Sequence, residues 1–220
     1  MDKMKPKAGK IIGIIPGSAA EAIGVQAGDE LLAINGEPCE DIIDVQFYSA
    51  DEWLKLEIRR GDQELALEGS RAYDQPLGIE FEHPTFDIDI RRCNNLCEFC
   101  FVLQMAPRMR RTLYIKDDDY RYSFLFGHFV TLTNLSAHDW QRLITQHLSP
   151  LYVSVHATDL ELRRKCLRNE TAPDIMQQLG ELSEYNFEVH TQLVITPSVN
   201  DGSHMDRSIC LLYTSDAADE

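Results

Sequence analysis

From Phe86 onward the chain alternates between strand-like and helix-like patterns, and this alternation restricts the fold more than any other feature. The strand-like apolar runs span residues 86–90, 122–134, 150–157 and 187–196. The amphipathic, helix-like runs span residues 136–148, 159–169 and 172–186. Strands that alternate with helices form a parallel sheet covered by helices, either open or closed into a barrel. The sequence therefore predicts an α/β domain, and its four strands make only part of a (β/α) barrel.

The first third of the chain follows a different pattern, with short strands separated by tight turns. Pro16-Gly17 and Asn35-Gly36 are strong turn signals. Ser18 is a typical N-cap for a short Ala-rich helix, and Glu21 stands three residues on, as in a capping box. Residues 51–69 alternate apolar and charged side chains on both sides of a Gly-Asp turn, which predicts a β-hairpin.

The change of pattern at His83-Pro84 sets the expected domain boundary. We expect a β-rich domain over residues 1–83 and the α/β domain over residues 84–209. Residues 210–220 break the preceding pattern and resemble a translated sequencing-adapter read-through. We therefore expect this tail to be foreign and the natural protein to be longer; the alternative is a genuine acidic tail.

Three segments of the first domain resemble a PDZ domain of the bacterial kind, namely residues 16–20, 27–32 and 34–36. PDZ domains bind the carboxylate of a peptide C-terminus with backbone N–H groups of a Gly-Leu-Gly-Phe-type loop, and the peptide pairs with a strand edge. No such loop precedes Lys10, but a similar segment stands at the other end of the domain. The candidate peptide-binding residues are Leu77, Gly78 and Ile79. The alternative is a plain closing strand with a glycine bulge and no peptide.

Three cysteines stand within eight residues, at Cys93, Cys97 and Cys100, directly after the first expected strand of the α/β domain. Three thiolates at this spacing suit three corners of a [4Fe–4S] cluster, which usually takes four cysteines. The missing fourth would leave one iron open to another ligand. Zinc with His83 or His128 as the fourth ligand is the main alternative, and buried or reactive thiols are a third.

The spacing Cys93-x3-Cys97-x-Phe99-Cys100 resembles the signature of the radical S-adenosylmethionine (radical SAM) superfamily. The resemblance implies a partial or complete (β/α) barrel with the cluster loop after its first strand. It further implies that S-adenosylmethionine chelates the open iron and that an electron donor supplies the cluster. Reductive cleavage then yields a 5′-deoxyadenosyl radical that abstracts hydrogen from a substrate, which the sequence does not identify.

The order of the PDZ-like domain, the block over residues 93–134 and the segment over residues 151–169 resembles the DUF512 family. These are bacterial radical-SAM-like proteins with a further C-terminal domain, so the resemblance implies a C-terminal truncation here. Two departures stand out. His128 occupies a position where the family pattern has Asn, and Thr196-Pro197-Ser198 stands in place of Cys-Pro-Gly.

Polar residues at expected strand ends give candidates for contact with S-adenosylmethionine, because a barrel builds its site at the carboxyl ends of its strands. In the third strand, two polar side chains alternate with valines and share a face, which suggests a lined pocket. The signature aromatic is added by the resemblance. The cofactor-binding candidates are Phe99, Gly127, Thr133, Asn134, Ser154, His156 and Asn200. Ordinary strand polarity, a core histidine and a turn asparagine are the alternatives.

The segment between the cysteines and the second expected strand is dense in charge. Arg108, Arg110 and Arg111 are candidates for holding an anionic substrate or the cofactor carboxylate, and the aspartates at 117–119 for pairing with them. A solvated, self-neutralising loop is the alternative.

Charge and hydropathy argue against two classes of partner, nucleic acid and membranes. The formal net charge of −15 argues against nucleic acid and anionic membranes as general partners. No segment approaches the roughly 20 apolar residues that span a bilayer, and the apolar run near the N-terminus is too short for a signal peptide. We therefore expect a cytoplasmic protein with reduced thiols. A second hypothesis is a non-catalytic PDZ-type protein that binds a peptide and whose cluster or zinc site is only structural.

Overall fold

The computed structural model describes residues 8–87 and 90–216. The chain divides into two compact units, Met1–Asp89 and Ile90–Glu220. The strand expected over residues 86–90 lies partly outside the described residues, as do residues 217–220 of the expected foreign tail. In the part of the chain that the structure describes, no helix combines the length and the apolar character needed to cross a membrane.

The first unit is an antiparallel sheet with two short helices. Its strands are β1 (Gly9–Ile14), β2 (Glu30–Ile34), β3 (Glu37–Pro38), β4 (Trp53–Arg60), β5 (Gln63–Ser70) and β6 (Ile79–Phe81). Its helices are α1 (Ala19–Ile23) and α2 (Ile42–Tyr48). The strand order is β5-β4-β2-β1-β6, with β3 paired to β2, so β6 is an edge strand.

Local signals in the sequence explain these elements. The side chain of Ser18 accepts a hydrogen bond from the N–H of Glu21, so the predicted helix cap is confirmed. The Glu21 carboxylate accepts from the N–H of Gly17 at 2.6 Å, one residue earlier than in a standard capping box. The predicted hairpin is confirmed as β4 and β5, which pair in register from Trp53 with Ser70 to Arg60 with Gln63. The alternating apolar side chains of β4 are fully buried and form the centre of the core.

The second unit contains helices and a short parallel sheet. After a 3-10 helix (Arg111–Tyr114), its helices are α3 (Tyr120–Phe126), α4 (Ala137–Thr145), α5 (Leu160–Leu167), α6 (Ile175–Glu184) and α7 (Ser203–Asp216). Its strands are β7 (Leu151–Ser154) and β8 (Val189–Gln192), which pair in parallel. Val130 forms a parallel bridge with Val153, so the chain before α4 lies beside β7. The order of strand, helix and parallel strand confirms an α/β unit, and no barrel is present among the described residues.

Most of the expected elements of this unit are confirmed, including α4, β7, α5, α6 and β8. Helix α4 begins at the predicted capping box, in which Ser136 and Asp139 satisfy each other's backbone N–H groups. Helix α7 continues without a break through Cys210 into the segment that we expected to be foreign.

The strand predicted over residues 122–134 is wrong in its first part, because residues 120–126 form helix α3. The Asp119 side chain caps the start of this helix by accepting from the N–H of Arg121. Gly127 ends it in a left-handed conformation with φ of 72°. These two residues bracket two turns of helix. Within the described part of the expected strand, Val130 pairs in parallel with β7.

Candidate metal centre

The three cysteines lie on one loop whose backbone is tied to distant parts of the second unit. The N–H of Cys93 donates to the carbonyl of Lys116 at 2.8 Å, and the N–H of Leu96 donates to the carbonyl of Leu167 at 2.9 Å. Cys97 is buried, whereas Cys93 and Cys100 are part-buried, and all three are free thiols. The loop therefore presents its thiols from a backbone held on both sides.

The three thiols lie close enough to influence each other's ionisation. Burial, and then the charges of Cys93 and Cys100, raise the pKa of Cys97 to about 11. Burial and the nearby Asp118 carboxylate raise the pKa of Cys93. Three thiolates in this space need a compensating positive charge, which is what a bound metal centre supplies.

No group of three His, Cys, Asp or Glu side chains within the described ranges has the geometry to hold a single metal ion. In a cluster each thiolate binds a different iron, so the three sulfurs need not converge on one point. The candidate zinc ligand His128 is paired elsewhere, with Nδ1 at 2.9 Å from Oδ2 of Asp117.

A network of buried side chains connects the cysteine loop to the segment after Val130. Asn95, between two of the cysteines, is 0% exposed. Its Nδ2 donates to Oγ1 of Thr131 at 2.9 Å and to Oγ1 of Thr133 at 3.0 Å, and it lies 3.3 Å from Sγ of Cys93. Its Oδ1 accepts from Nδ2 of Asn169 at 2.7 Å. Thr133, a predicted site residue, is therefore hydrogen-bonded to the loop of the cysteines.

Two buried charged side chains, Asp118 and Arg163, bond to Thr131 of this network. The carboxylate of Asp118 accepts from both the N–H and the hydroxyl of Thr131 at 2.6 Å, while burial raises the pKa of this carboxyl. Arg163 on α5 donates to the carbonyl of Thr131 at 2.7 Å and to that of Val155 at 3.2 Å. Burial lowers the pKa of the Arg163 guanidinium to about 10, so it keeps its charge at neutral pH.

Sequence reasoning missed Asn95, Asp118 and Arg163 as a connected group. Asn95 has a weak signal in its position between two cysteines. Arg163 resembles a surface residue of an amphipathic helix, and nothing near it in sequence indicates that it is 0% exposed. Only the contacts that the fold creates show these roles.

Phe99, His156 and Asn200 form a second group. The ring centroids of Phe99 and His156 lie 4.7 Å apart. Nδ1 of His156 accepts from the N–H of Val194 at 3.2 Å, and burial, followed by the charge of Arg163, lowers the pKa of His156 to about 4. Nδ2 of Asn200 donates to the carbonyls of His156 and Val194 at 2.8 and 2.9 Å. The neutral ring of His156 thus packs against the ring of Phe99. Asn200 in turn fixes the backbone of His156 by donating a hydrogen bond to its carbonyl.

The other predicted site residues have separate surroundings. Asn134 donates to the carbonyls of Arg92 and Asp118 at 3.2 and 2.9 Å, and its buried Oδ1 has no partner among the described residues. The hydroxyl of Ser154 donates to Oε1 of Gln192 at 3.3 Å. Gly127 ends α3, so it does not lie on a strand as we expected.

The predicted pairing of residues 117–119 with the arginines before them is not observed in the described part of the chain. Asp117 contacts His128 and Asp118 contacts Thr131. Asp119 binds the buried guanidinium of Arg121 at 2.7 Å, because it also caps the helix on which this arginine stands. The arginines 108, 110 and 111 are exposed, and the structure gives none of them a carboxylate partner among its described residues.

A cleft of about 760 Å³ opens beside Phe99. Helix α5 and the loop after β8 form its other walls. It is lined by Glu98, Phe99, Glu161, Arg164, Lys165, Cys166, Arg168, Asn169, Glu170, Thr196 and Val199. Oγ1 of Thr196 is buried without a partner in the described structure. Ser198, which follows in the same loop, has a φ of 64°, a conformation that favours glycine.

In the first unit, Gly78 forms a turn that fits no larger residue. Its φ is 76°, and a Cβ at this position would lie 2.2 Å from Cβ of Ser18. Its carbonyl accepts from the N–H of Ile15 at 2.9 Å, and the carbonyl of Leu77 accepts from the N–H of Ala20 at 3.0 Å. Among the described contacts, the N–H groups of Leu77 and Gly78 donate no hydrogen bond. The turn therefore presents backbone donors at the start of edge strand β6.

Comparison with known protein families gives two matches. A family model described as a Radical SAM-like domain matches residues 71–217. A second model, described as a PDZ domain, matches residues 10–60. No curated protein matches the chain. The two matches stand in the predicted order along the chain.

Proposed function

Because the chain belongs to the Radical SAM-like domain family, with a PDZ domain before it, we propose that it is a radical SAM enzyme of unidentified substrate. The observation that carries the proposal is the single loop with three free, mutually interacting thiols at Cys93, Cys97 and Cys100. These residues would hold a [4Fe–4S] cluster at three of its irons. When bound, the cluster supplies the electron that cleaves S-adenosylmethionine to methionine and a 5′-deoxyadenosyl radical. An electron donor is therefore an expected partner.

The residues present fit this cofactor in two respects. Small-molecule sites have volumes of about 300–1,000 Å³, and the cleft beside Phe99 has about 760 Å³. The aromatic ring of Phe99, which precedes Cys100 in the sequence, lines this cleft. We propose that S-adenosylmethionine binds here, with the ring of Phe99 along one wall.

The predicted contact residues then have different proposed tasks. His156 and Asn200 would hold Phe99 in place, and Thr133 would hold the loop of the cysteines. Asn134 offers its buried Oδ1 as an acceptor. The roles of Gly127 and Ser154 stay predictions.

We propose that Val130, β7 and β8 are neighbouring parts of a partial (β/α) barrel, since all pair in parallel. The domain limits at residues 1–83, 84–209 and 210–220, and membership of the DUF512 family, stay predictions.

Iron and sulfide analysis after anaerobic reconstitution tests the metal, and a 5′-deoxyadenosine assay with S-adenosylmethionine and dithionite tests the reaction. Alanine at Cys93, Cys97 or Cys100 should abolish cluster binding and cleavage. Alanine at Cys39 should leave the iron content unchanged, because this thiol is buried in the core of the first unit. A protein that takes up one zinc and no iron or sulfide would falsify the proposal.

Peptide binding by the first unit is a second candidate function, favoured by the donors of the Leu77-Gly78 turn at the start of edge strand β6. Such a turn suits a terminal carboxylate, and a strand edge suits an extended peptide. The test is fluorescence anisotropy of the whole protein with a library of peptides that have free C-termini. Binding should disappear when the peptide ends in an amide and when Gly78→Val closes the turn; equal binding of acid and amide forms would reject this role. An intact cluster that never cleaves S-adenosylmethionine would leave peptide binding as the function.

A further inference from the structure

Asn95 is the buried polar residue at the centre of the cysteine loop. It stands between Cys93 and Cys97 and is 0% exposed, whereas its neighbour Asn94 is exposed. Its Nδ2 lies 3.3 Å from Sγ of Cys93. A buried side-chain amide next to a metal-binding thiol raises the question of which end of the amide faces the sulfur.

The surrounding hydrogen bonds answer this question. The backbone N–H of Thr171 can only donate, and it lies 3.1 Å from Oδ1 of Asn169. The hydroxyl of Thr171 also donates to this oxygen at 2.8 Å. The other end of Asn169, Nδ2, therefore faces Asn95 and donates to its Oδ1 at 2.7 Å. Since Oδ1 of Asn95 faces Asn169, its Nδ2 is the end that faces Cys93.

The two hydrogens on Nδ2 of Asn95 have different acceptors. The hydroxyl oxygens of Thr131 and Thr133 lie 2.8 Å apart, so they form one acceptor region for the first hydrogen. The second hydrogen is left for the sulfur of Cys93, to which the backbone N–H of Asn95 also donates. An N–H group that donates to a thiolate stabilises negative charge on the sulfur.

The backbone of the loop is held independently of this side chain. Nζ of Lys116 donates to the carbonyl of Asn95, and the N–H of Cys93 donates to the carbonyl of Lys116. The N–H of Leu96 donates to the carbonyl of Leu167 at 2.9 Å. A change of the Asn95 side chain thus removes the side-chain N–H···S contact, while these three backbone bonds need not change.

We propose that Asn95 is a positioning residue that donates an N–H···S hydrogen bond to the Cys93 thiolate, orients this ligand and raises the reduction potential of the iron–sulfur centre. The inference rests on the proposed function. Hydrogen bonds to the sulfurs and the groups around the ligands tune such potentials, because reduction adds negative charge that the donor stabilises. Asn169 acts one step further out by fixing the orientation of the Asn95 amide.

The main test is a redox titration of the reconstituted protein, followed by electron paramagnetic resonance. Asn95→Leu removes the donor at similar volume, and we expect the ratio of reduced to oxidised centre at a given potential to fall about tenfold, which is about 59 mV for one electron. Asn169→Ala leaves the donor in place but frees the amide to turn, so a smaller shift in the same direction is expected. Asn94→Leu makes the same chemical change on the exposed neighbour, whose amide contacts Thr133 and Asn169 and, among the described contacts, no cysteine sulfur. Its shift of the potential should therefore be smaller than that of Asn95→Leu.

Resonance Raman spectra detect the N–H···S hydrogen bond itself, which a change in the stability of the loop would not imitate. An iron–sulfur stretching band of the wild type should shift in deuterium oxide, because the N–H···S hydrogens exchange. This shift should be smaller in Asn95→Leu, which keeps only the backbone N–H of residue 95 near the sulfur. Variants that load iron but keep the wild-type potential and the deuterium shift would overturn the proposal and leave the proposed function intact.

A measurement on the metal-free protein separates the two ideas and does not require a cluster. In protein labelled with ¹⁵N asparagine, the side-chain amide of Asn95 should move when Cys93 is replaced by alanine and stay in place when Cys100 is replaced. If the wild type takes up no iron, the proposed function fails, and this comparison still decides whether Asn95 bonds to Cys93. An amide signal indifferent to both replacements would overturn the contact.

Discussion

The two units bury polar groups in different ways. In the first, the buried Ser18 and Asp41 cap helices and bond to backbone only two or three residues away. In the second, Asn95 bonds to Thr131 across 36 residues, and Arg163 bonds to the same threonine across 32 residues. The first unit has one such long-range pair, between the buried Asp29 and the part-exposed Arg60, beside its apolar core. In the second unit, long-range contacts between buried groups surround the candidate metal centre. A single lost partner should matter more in the second unit, because it leaves buried groups unpaired.

Replacing Arg163 by methionine should have the largest effect. The change leaves the buried Asp118 without its nearby cation and the carbonyl of Thr131 without its donor, and it removes one of the two donors to the carbonyl of Val155. We expect the free energy of unfolding of the second unit to fall by about 3–5 kcal/mol. Urea denaturation in a Trp53→Phe background measures it, since Trp140 then reports on this unit alone.

Arg164→Met is the matched control on the same helix. Arg164 is part-exposed and bonds to the carbonyl of Ala172, so a loss of about 1 kcal/mol or less is expected. Equal losses at the two positions would contradict the claim that buried polar contacts hold the second unit.

Replacing Leu56 by alanine tests the apolar side of the comparison. Leu56 is 0% exposed at the centre of the first core, and removing its side chain there should lower the free energy of unfolding by about 3–4 kcal/mol. In a Trp140→Phe background, Trp53 reports on the first unit. The half-buried Leu65 on the facing strand is the control, and its replacement by alanine should have a smaller effect.

The pH dependence of the free energy of unfolding tests whether His156 is buried in its neutral form in the second unit. Burial and Arg163 lower the pKa of His156 in the folded protein to about 4, below its usual value of 6.5. The unfolded chain binds a proton at higher pH than the folded one, so stability is fully present above pH 6.5 and is lost as the pH falls toward 4. The loss approaches about 3 kcal/mol, at about 1.4 kcal/mol per pKa unit.

Urea denaturation between pH 7.5 and 4.5 measures this slope. His156→Asn tolerates the left-handed backbone with φ of 64° and cannot titrate, so its slope should be shallower. A wild-type slope that survives in His156→Asn would count against a buried neutral histidine.

The smallest effect is expected at Ser198, and it is a gain. Ser198 has a φ of 64°, where a side chain is strained by roughly 1–2 kcal/mol. Glycine relieves the strain but gives the unfolded chain more freedom, so Ser198→Gly should raise the free energy of unfolding by about 0.5–1 kcal/mol. Thermal unfolding followed by Trp140 fluorescence measures the gain, and a loss of stability would show that the serine side chain stabilises this loop.

The contrast between the units also explains what could be predicted from the sequence. The hairpin over residues 51–69, the cap at Ser18 and the helix after Ser136 depend on neighbours in the chain, and all three are confirmed. The strand expected over residues 122–134 is wrong at its start, although Asp119 and Gly127, spaced for two turns of helix, could have shown the helix. The apolar composition of the run between them suits a strand as well as a helix, so composition alone does not distinguish the two.

The candidate site shows the same division. The three cysteines stand out by their spacing on one loop, and Phe99 by the resemblance to the radical SAM signature; both are local patterns, and their roles stay predictions. Asn95 and Arg163 could not be identified as supports, since their partners become neighbours only when distant segments fold together. His156 was predicted as a pocket residue, and its bond to the N–H of Val194 depends on a segment 38 residues away.

The parallel pairing of β7 with β8 also determines when each unit can form during synthesis. Ser154 and Gln192, which face each other across this pair, are 38 residues apart, whereas the turn of the β4–β5 hairpin joins neighbours. Local contacts form early, and pairing between distant segments is slower because a long loop must close first. During synthesis, the first unit can therefore fold before β8, the partner strand of β7, has been made. The loop of the three cysteines is translated before Leu167 and Gln192, so it reaches its backbone partner Leu167 only after a further part of the second unit has been made.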